Sequence, residues 1–554
     1  VLHYFKTSVL TFLRPKIWEI TKSTDFLNNK ELYFGIRLRK DDEEFAGYLN
    51  IPSNKLPRFF KLHSDDGKYY FMYLDDIIRL HLDIVFPGYE ILECASVKLN
   101  KDADLHIDDE YSGDLVEKIT KQIKKRDLGS PSRFLHDSAM SESLLESFQE
   151  KFDLRDQELV PGGRYHNLND FFQVPNPIGP HLENKPQSPI IHTPFHSEKS
   201  ILHAIEQGDH LLHFPYQSYD YILQFFNEAA IDPKVKEINV TFYRMAQQSF
   251  IGDALISAAE NGKIVKVFME LKARFDEENN LAWASRMEEA GIKIIYSIPG
   301  LKVHAKVALV KKKAKGGGTK YYGFYGTGNL NEKTARIYVD HALLTCDEGM
   351  NQELAALFNF LYKRKEPGAF HNLLVSQFNI VDRFSEMIDR EIAHQQEGRQ
   401  SHVIIKLNNL EEPNIINKLY EASQAGVTVE MIVRGICCLK PGVPGLSENI
   451  TIKRLVDKYL EHARIFYFHN GGNEEVFMGS ADWMSRNLLR RIEVIFPVKD
   501  ASNKEELIEM LKIQLADNTK AHLLNTDLES IPNEPSGQPL RAQEAIYEYV
   551  KSKR

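Results

Sequence analysis

Four cysteines among 554 residues, Cys94, Cys346, Cys437 and Cys438, are too few and too scattered for a disulfide framework. No Cys-x-x-Cys pair and no histidine cluster suggests a zinc site, so a reducing compartment, the cytoplasm, is expected. No apolar run approaches the roughly eighteen residues of a membrane-crossing helix, and no signal-peptide pattern opens the chain. A surplus of positive charge is missing too. With 69 Lys and Arg against 78 Asp and Glu the net charge is −9, which argues against a general nucleic-acid binder. Any polyanion must be met by a local basic cleft.

The chain is too long for one core, and its patterning changes twice. Residues 1–185 mix short helical and extended runs, an α+β head. FPGYEILECASVKLNKDADLHID alternates like strands, and DDEYSGDLVEKITKQIKKRD reads as a charged surface helix. The first residues, VLHYFKTSVLTFLRPKIWEI, read as the middle of an amphipathic helix, so further chain ahead of Val1 is expected. A proline-rich linker runs from Pro175 to Phe195. Residues 186–372 then alternate strands with helices (EINVTFYR, FIGDALISAAENG, KIVKVFMEL, NNLAWASRMEEAG, IKIIYSIP), the pattern of βαβ units around a largely parallel sheet. Residues 373–554 repeat it, with HVIIKLN, EEPNIINKLYEASQAG and VTVEMIVRG. Gly262 and Gly426 end equivalent helices 164 residues apart, and His304 and His462 are 158 apart, so an internal duplication is expected.

The repeat carries the chemistry. His304 and Lys306 sit in VHAKVALV, which reads as one buried strand, followed by the small polar turn Gly326-Thr327-Gly328-Asn329 and then Asp340. His462 and Arg464 occupy the same columns of the second copy, with Gly479-Ser480-Ala481-Asp482 and Glu493 after them. Each carboxylate follows its turn by fourteen positions, Gly326 to Asp340 and Gly479 to Glu493. A reactive histidine needs a partner for its second ring nitrogen, and Asp340 or Glu493 can serve; which acid serves which histidine stays open.

Paired His-x-Lys/Arg motifs on duplicated α/β halves resemble the phospholipase D superfamily, although its usual acid seven residues after each histidine is replaced here by Lys311 and His469. Longer motifs, VTFYRMA, ELKARFDEENN, LKVHAKVALV, YGTGNLNEKTARIYVDHALLT, MIVRGICCLKPG, HARIFYFHNGG and GGRYHNLNDF, closely resemble the long-chain (type 1) polyphosphate kinases. The resemblance implies two phospholipase D-like α/β domains in tandem behind the head. It also implies reversible transfer of the ATP γ-phosphate to inorganic polyphosphate through a phosphohistidine. On that basis His304 is the phosphorylated histidine and His462 the second active-site histidine. Arg244 and Arg274 match positions associated with Mg²⁺, and Tyr338 and Arg434 match ATP-contacting positions. The resemblance further implies ATP/ADP and polyphosphate as partners with no nucleic acid, a homodimer or homotetramer, and room for peripheral membrane association. The N-terminal helical domain of that family, which contributes an Asn to ATP binding, has no counterpart in this sequence.

The residue chemistry fits that expectation. Phosphoryl transfer between polyanions asks for positioning and neutralisation, which Arg244, Arg274, Lys306, Arg434, Arg464 and Arg491 could supply. Because a guanidinium has no free lone pair, Arg244 and Arg274 are expected on phosphate oxygens that a metal also contacts, with Asp276, Glu277 and Glu278 as alternative metal ligands. Asn329 and its turn are expected to donate to phosphate oxygens, and Tyr338 to stack on adenine. His462 is expected opposite the nucleophile, protonating or hydrogen-bonding the departing ADP. The alternatives are a phospholipase D-like phosphodiesterase, which would need no ATP, and a silent binding scaffold.

Overall fold

The computed structural model describes residues 1–18, 27–101, 131–271, 273, 276–296, 300–533 and 537–553. It divides into two compact units, Val1–Lys185 and Pro186–Arg554. The charged run expected as a surface helix, residues 108–127, lies outside the described residues.

The first unit is built on one sheet, in the order Lys16–Ile17, Glu43–Ile51, Leu32–Lys40, Glu90–Lys101, Pro131–Asp137 and Leu159–Gly162. All neighbours are antiparallel except the last pair. Helix Glu142–Phe152, capped by the Ser141 side chain, lays Leu144 and Phe148 on one face beside Trp18 and Phe134. The GGRYHNLNDF motif serves this unit. Arg58, 2% exposed, is bidentate to Asp75 at 2.6 and 2.8 Å, also donates to Asp170 and reaches the His166 carbonyl at 3.3 Å.

The second unit contains the duplication. In the first lobe the strands lie in the order Lys293–Tyr296, Ile264–Met269, Val235–Phe242, Val307–Lys313, Thr319–Gly326, Tyr338–Thr345, then His210–Phe214. In the second the corresponding order is Ile450–Leu455, Thr428–Val433, His402–Leu407, Arg464–Phe468, Glu475–Gly479, Val494–Pro497, then Leu374–Val375, with Ala521–Leu524 and Ser530–Pro532 added antiparallel beyond Ile450–Leu455. The pairings match position by position: two parallel, then four antiparallel. The expectation of a largely parallel sheet therefore holds only for three strands of each copy, joined by two helices in the first and by one helix and one loop in the second. The other half of each sheet is an antiparallel meander, whose first two strands are joined by a short turn, closed by an outer strand, His210–Phe214 or Leu374–Val375, from earlier in the chain. Gly262 and Gly426 end equivalent helices at φ 79° and 93°, a left-handed backbone that only glycine adopts without penalty. Helices Glu348–Lys363 and Ala501–Ala516, capped by Asp347 and Asp500, follow the meanders and bury Met350, Leu354, Leu357, Leu507 and Leu511 in a core common to both lobes.

VHAKVALV is not one strand. Lys302–Val303 pairs in parallel with Arg491–Ile492 of the other lobe, residues 304–306 leave the ladder, and Val307–Lys313 rejoins its own sheet. The second copy does the same: Leu460–Glu461 pairs in parallel with Tyr338–Val339 of the first lobe, ahead of Arg464–Phe468. Each lobe thus lends the other a two-residue strand, and a histidine stands at each crossing.

Candidate active site

At each crossing the backbone sets the histidine before any side chain acts. The N–H groups of His304 and Ala305 both donate to the Ile492 carbonyl, at 2.9 and 3.0 Å, and those of His462 and Ala463 both donate to the Val339 carbonyl, at 3.2 and 2.9 Å. The residue after each acceptor is the carboxylate. His304 Nδ1 lies 2.9 Å from Glu493 Oε2, and His462 Nδ1 lies 2.9 Å from both oxygens of Asp340. The question that spacing left open is thereby answered: each histidine takes the acid of the opposite copy.

Both acids are themselves held. Asn487 Nδ2 donates to Glu493 Oε1 at 2.6 Å, and Thr327 Oγ1 donates to Asp340 Oδ1 at 2.7 Å. Gly328 passes so close to Asp340 that a Cβ there would stand 2.2 Å from Oδ2, so only glycine fits. Glu493 is fully buried and Asp340 6% exposed. Burial works to raise Glu493, but His304, Lys306 and Arg491 together outweigh it and hold the carboxyl down at about 2. Asp340 is lowered in the same way, burial being outweighed by His462, Thr327 and Arg464. Burial pushes His304 down to about 3 against the pull of Glu493, and it lowers His462 against the pull of Asp340. Both imidazoles are therefore neutral near pH 7, each with Nδ1–H donated to a carboxylate and Nε2 left as the basic nitrogen.

The two copies differ at that nitrogen. Arg464 Nη1 donates to His462 Nε2 at 3.2 Å and to the His462 carbonyl at 2.8 Å, while its Nε and Nη2 reach Asp482 at 3.1 and 3.2 Å. Lys306, 2% exposed, donates to the His304 carbonyl and stands 5.4 Å over the Tyr243 ring. Among the described residues no hydrogen bond reaches His304 Nε2. Burial drives the Lys306 ammonium well below its ordinary value, opposed by Glu493. Its charge is felt by both imidazoles, which puts the two crossings in one electrostatic field. An aromatic ring flanks each histidine: Tyr243 edge-on to His304 at 4.8 Å, and Tyr338 tilted on His462 at 5.1 Å.

Arg434, half-buried at the end of Thr428–Val433, donates from Nε to Asn408 Oδ1 at 3.0 Å, and Asn408 in turn reaches the His462 carbonyl at 3.2 Å. Arg491 lies 3.8 Å from Glu493 Oε1. Arg244, at the end of Val235–Phe242, pairs with Asp276 at 3.2 Å. Asn329 buries its Oδ1 with no partner among the described residues. Arg274 lies outside the described residues. Sequence reasoning did not single out Asn487, Tyr243 or Asn408, and it took Thr327 only as part of a phosphate-binding turn. The column shared by Thr327 and Ser480 was a usable signal, since each hydroxyl accepts the N–H fourteen residues on, from His341 and Val494. Among the described residues no group of three His, Cys, Asp or Glu stands ready to hold a metal ion, and no helix is long and apolar enough to cross a membrane.

The comparisons agree with the motifs. Residues 1–174 match the family model of the polyphosphate kinase middle domain, 200–367 that of polyphosphate kinase C-terminal domain 1, and 373–543 that of C-terminal domain 2. The chain is 39% identical over 563 residues to polyphosphate kinase of Escherichia coli (strain K12), covering 99% of this chain and 81% of that protein. It is 38% identical over 562 residues to polyphosphate kinase of Vibrio vulnificus (strain YJ016), covering 100% of this chain and 80% of that one. The crystal structure of polyphosphate kinase from Porphyromonas gingivalis superposes with a TM-score of 0.87 at 41% identity, covering 100% of this chain and 82% of that chain. With likeness of this extent over essentially all of this chain and about four-fifths of each relative, and three family models matched in order, the chain belongs to the polyphosphate kinase family.

Proposed function

We propose that the chain is an ATP–polyphosphate phosphotransferase that carries the phosphoryl group on Nε2 of His304. The observation that carries the choice of histidine is the asymmetry at Nε2: His462 already accepts an Arg464 N–H there, and His304 does not. In the first step the His304 Nε2 lone pair forms a P–N bond to the γ-phosphorus while the bond to the bridging oxygen breaks, its electron pair staying on ADP. The imidazole becomes cationic in this step, and the charge is met by Glu493 across the 2.9 Å hydrogen bond. A terminal oxygen of polyphosphate then attacks the same phosphorus, and the P–N electron pair returns to Nε2. No proton changes hands, so each step runs in either direction.

Lys306, Arg464, Arg434 and Arg491 supply the positive field for the transferring group and the departing diphosphate. His462 holds the Arg464 guanidinium in place. A diphosphate leaves stably as an anion, so of the two roles expected for His462, protonating or hydrogen-bonding the departing ADP, the first is not required. Mg²⁺ fits as part of the nucleotide substrate: Arg244 could take phosphate oxygens that the metal also contacts, and Asp276 is the carboxylate beside it. Mg²⁺ neutralises phosphate charge when bound with the nucleotide. Tyr338 and the Asn329 turn remain assigned to nucleotide and phosphate contact, and the division of the second unit at residue 372 to two catalytic domains. The test is an ATP-dependent elongation assay with polyphosphate primer and Mg²⁺. Wild type should extend the polymer and, with excess ADP, return ATP, whereas hydrolysis of a phosphodiester with no ATP requirement would favour the phosphodiesterase alternative.

A further inference from the structure

The two strands that carry the histidines are anchored from behind in different ways. On the His304 side, the Val303 N–H donates to Glu270 Oε2 at 2.9 Å, within the first lobe. On the His462 side, the strand Leu460–Glu461 is gripped by helix Ala542–Ser552. Gln543 Oε1 accepts the Tyr459 N–H at 2.9 Å, and Nε2 donates to the Tyr459 carbonyl at 2.8 Å and to Glu461 Oε1 at 2.7 Å. Glu461 Oε2 takes Lys406 Nζ at 2.5 Å and Gln514 Nε2 at 3.0 Å. Lys406, Glu461, Gln514 and Gln543 are each only 2–3% exposed. Two residues earlier, at the N-cap of the helix, Arg541 binds Asp457, and Ile546 and Val550 pack in the same cluster as Val339, whose carbonyl receives the His462 and Ala463 N–H groups.

A primary amide that meets both backbone groups of one residue holds it as a neighbouring strand would. Here the grip is extended to a desolvated carboxylate two residues on, Glu461, where slippage would leave a buried charge unpaired. We propose that Gln543 is a positioning residue for His462, fixing through Tyr459 and Glu461 the strand that sets this imidazole against Asp340 and Arg464, and leaving the His304 half untouched. The proposal rests on the function proposed above only in that His462 matters to turnover.

The test uses the full chain with Gln543→Met, which keeps the side chain's volume, and with Glu548→Ala on the exposed face of the same helix as control. Backbone hydrogen exchange is read at residues 458–465 and at 300–307, with the melting temperature, kcat for elongation and the phosphoryl label per chain. The expected result for Gln543→Met is faster exchange confined to 458–465, a melting temperature within a few degrees of wild type, a kcat lowered about tenfold and undiminished label. Unchanged exchange at 458–465 would overturn the proposal, as would an equal rise at both segments, a local rise with unaltered kcat, or the same loss in Glu548→Ala. The exchange arm reads the grip whether or not His304 proves to be the nucleophile; label absent from wild type would instead count against the proposed function.

Discussion

The imidazole of His304 bonds through Nδ1, at 2.9 Å, to Glu493, a carboxylate 189 positions further along the chain and in the other lobe. His462 reaches back to Asp340 across 122 positions in the same way. Neither His304 nor His462 takes a carboxylate from its own lobe, so each of these two pairs is completed only by the other copy.

Glu493→Gln keeps the shape of the contact but removes the charge that, in the proposed mechanism, stabilises a phosphoimidazolium and selects the Nδ1–H tautomer. The expected loss in kcat is about 10²–10⁴-fold, with the melting temperature little changed. Rapid-quench measurement of phosphoenzyme formation should show the loss in that step.

Asn487→Leu leaves Glu493 Oε1 without its 2.6 Å donor inside a buried pocket. A hydrogen bond to a charged group contributes about 1.5–3 kcal/mol, so stability should fall by that order and the carboxyl of Glu493 should rise from its value of about 2. Infrared titration of the carboxylate band in isotope-edited protein checks the direction of the shift.

How far the sequence foretold these contacts depends on the kind of signal each carries. The duplication was readable because helix ends, turns and histidines recur at nearly one offset, and the strand orders of the two sheets agree with it. The break in VHAKVALV was not, since an apolar run does not say that its first residues pair with Arg491–Ile492 and its last with their own sheet. The pairing of acids was also hidden, because Asp340 and Glu493 occupy the same column and local spacing cannot tell a contact within a copy from one across copies. Asn487 lies on helix Ser485–Arg490 and does for Glu493 what Thr327, on a turn, does for Asp340. The matched cations diverge as well: Arg464 is fixed by Asp482, whereas Asn329, in the same column as Asp482, makes no such pair with Lys306 among the described residues.

Gly328→Ala should disable the site without unfolding it. The new Cβ would stand 2.2 Å from Asp340 Oδ2 and force the carboxylate away from His462. Elongation should fall at least about tenfold, by the usual sensitivity of such sites to misplacement of about 1 Å, while circular dichroism stays native.

The pH dependence of stability has a definite sign. His304 titrates near 6.5 when unfolded and near 3 in the fold, and Glu493 near 4.5 and near 2. Between each pair of values the unfolded chain holds the extra proton, so both contributions are complete above pH 6.5 and are lost as pH falls towards 2. Denaturant midpoints should therefore drop on acidification below pH 6.5, and His304→Gln should flatten the upper part of that fall.

In the first unit, Arg58→Met would strand Asp75 and Asp170 in the interior. Breaking a buried pair on one side costs about 3–5 kcal/mol, so calorimetry should show a markedly earlier unfolding transition.

The central claim is that phosphate is carried on Nε2 of His304, because Nδ1 is committed to Glu493. Protein labelled with γ-³²P ATP, digested under alkaline conditions and resolved by mass spectrometry and ³¹P NMR, tests this directly. The account predicts Nε2-phosphohistidine in the peptide containing His304, and no label in His304→Gln. Label on His462, or on Nδ1 of His304, would contradict it.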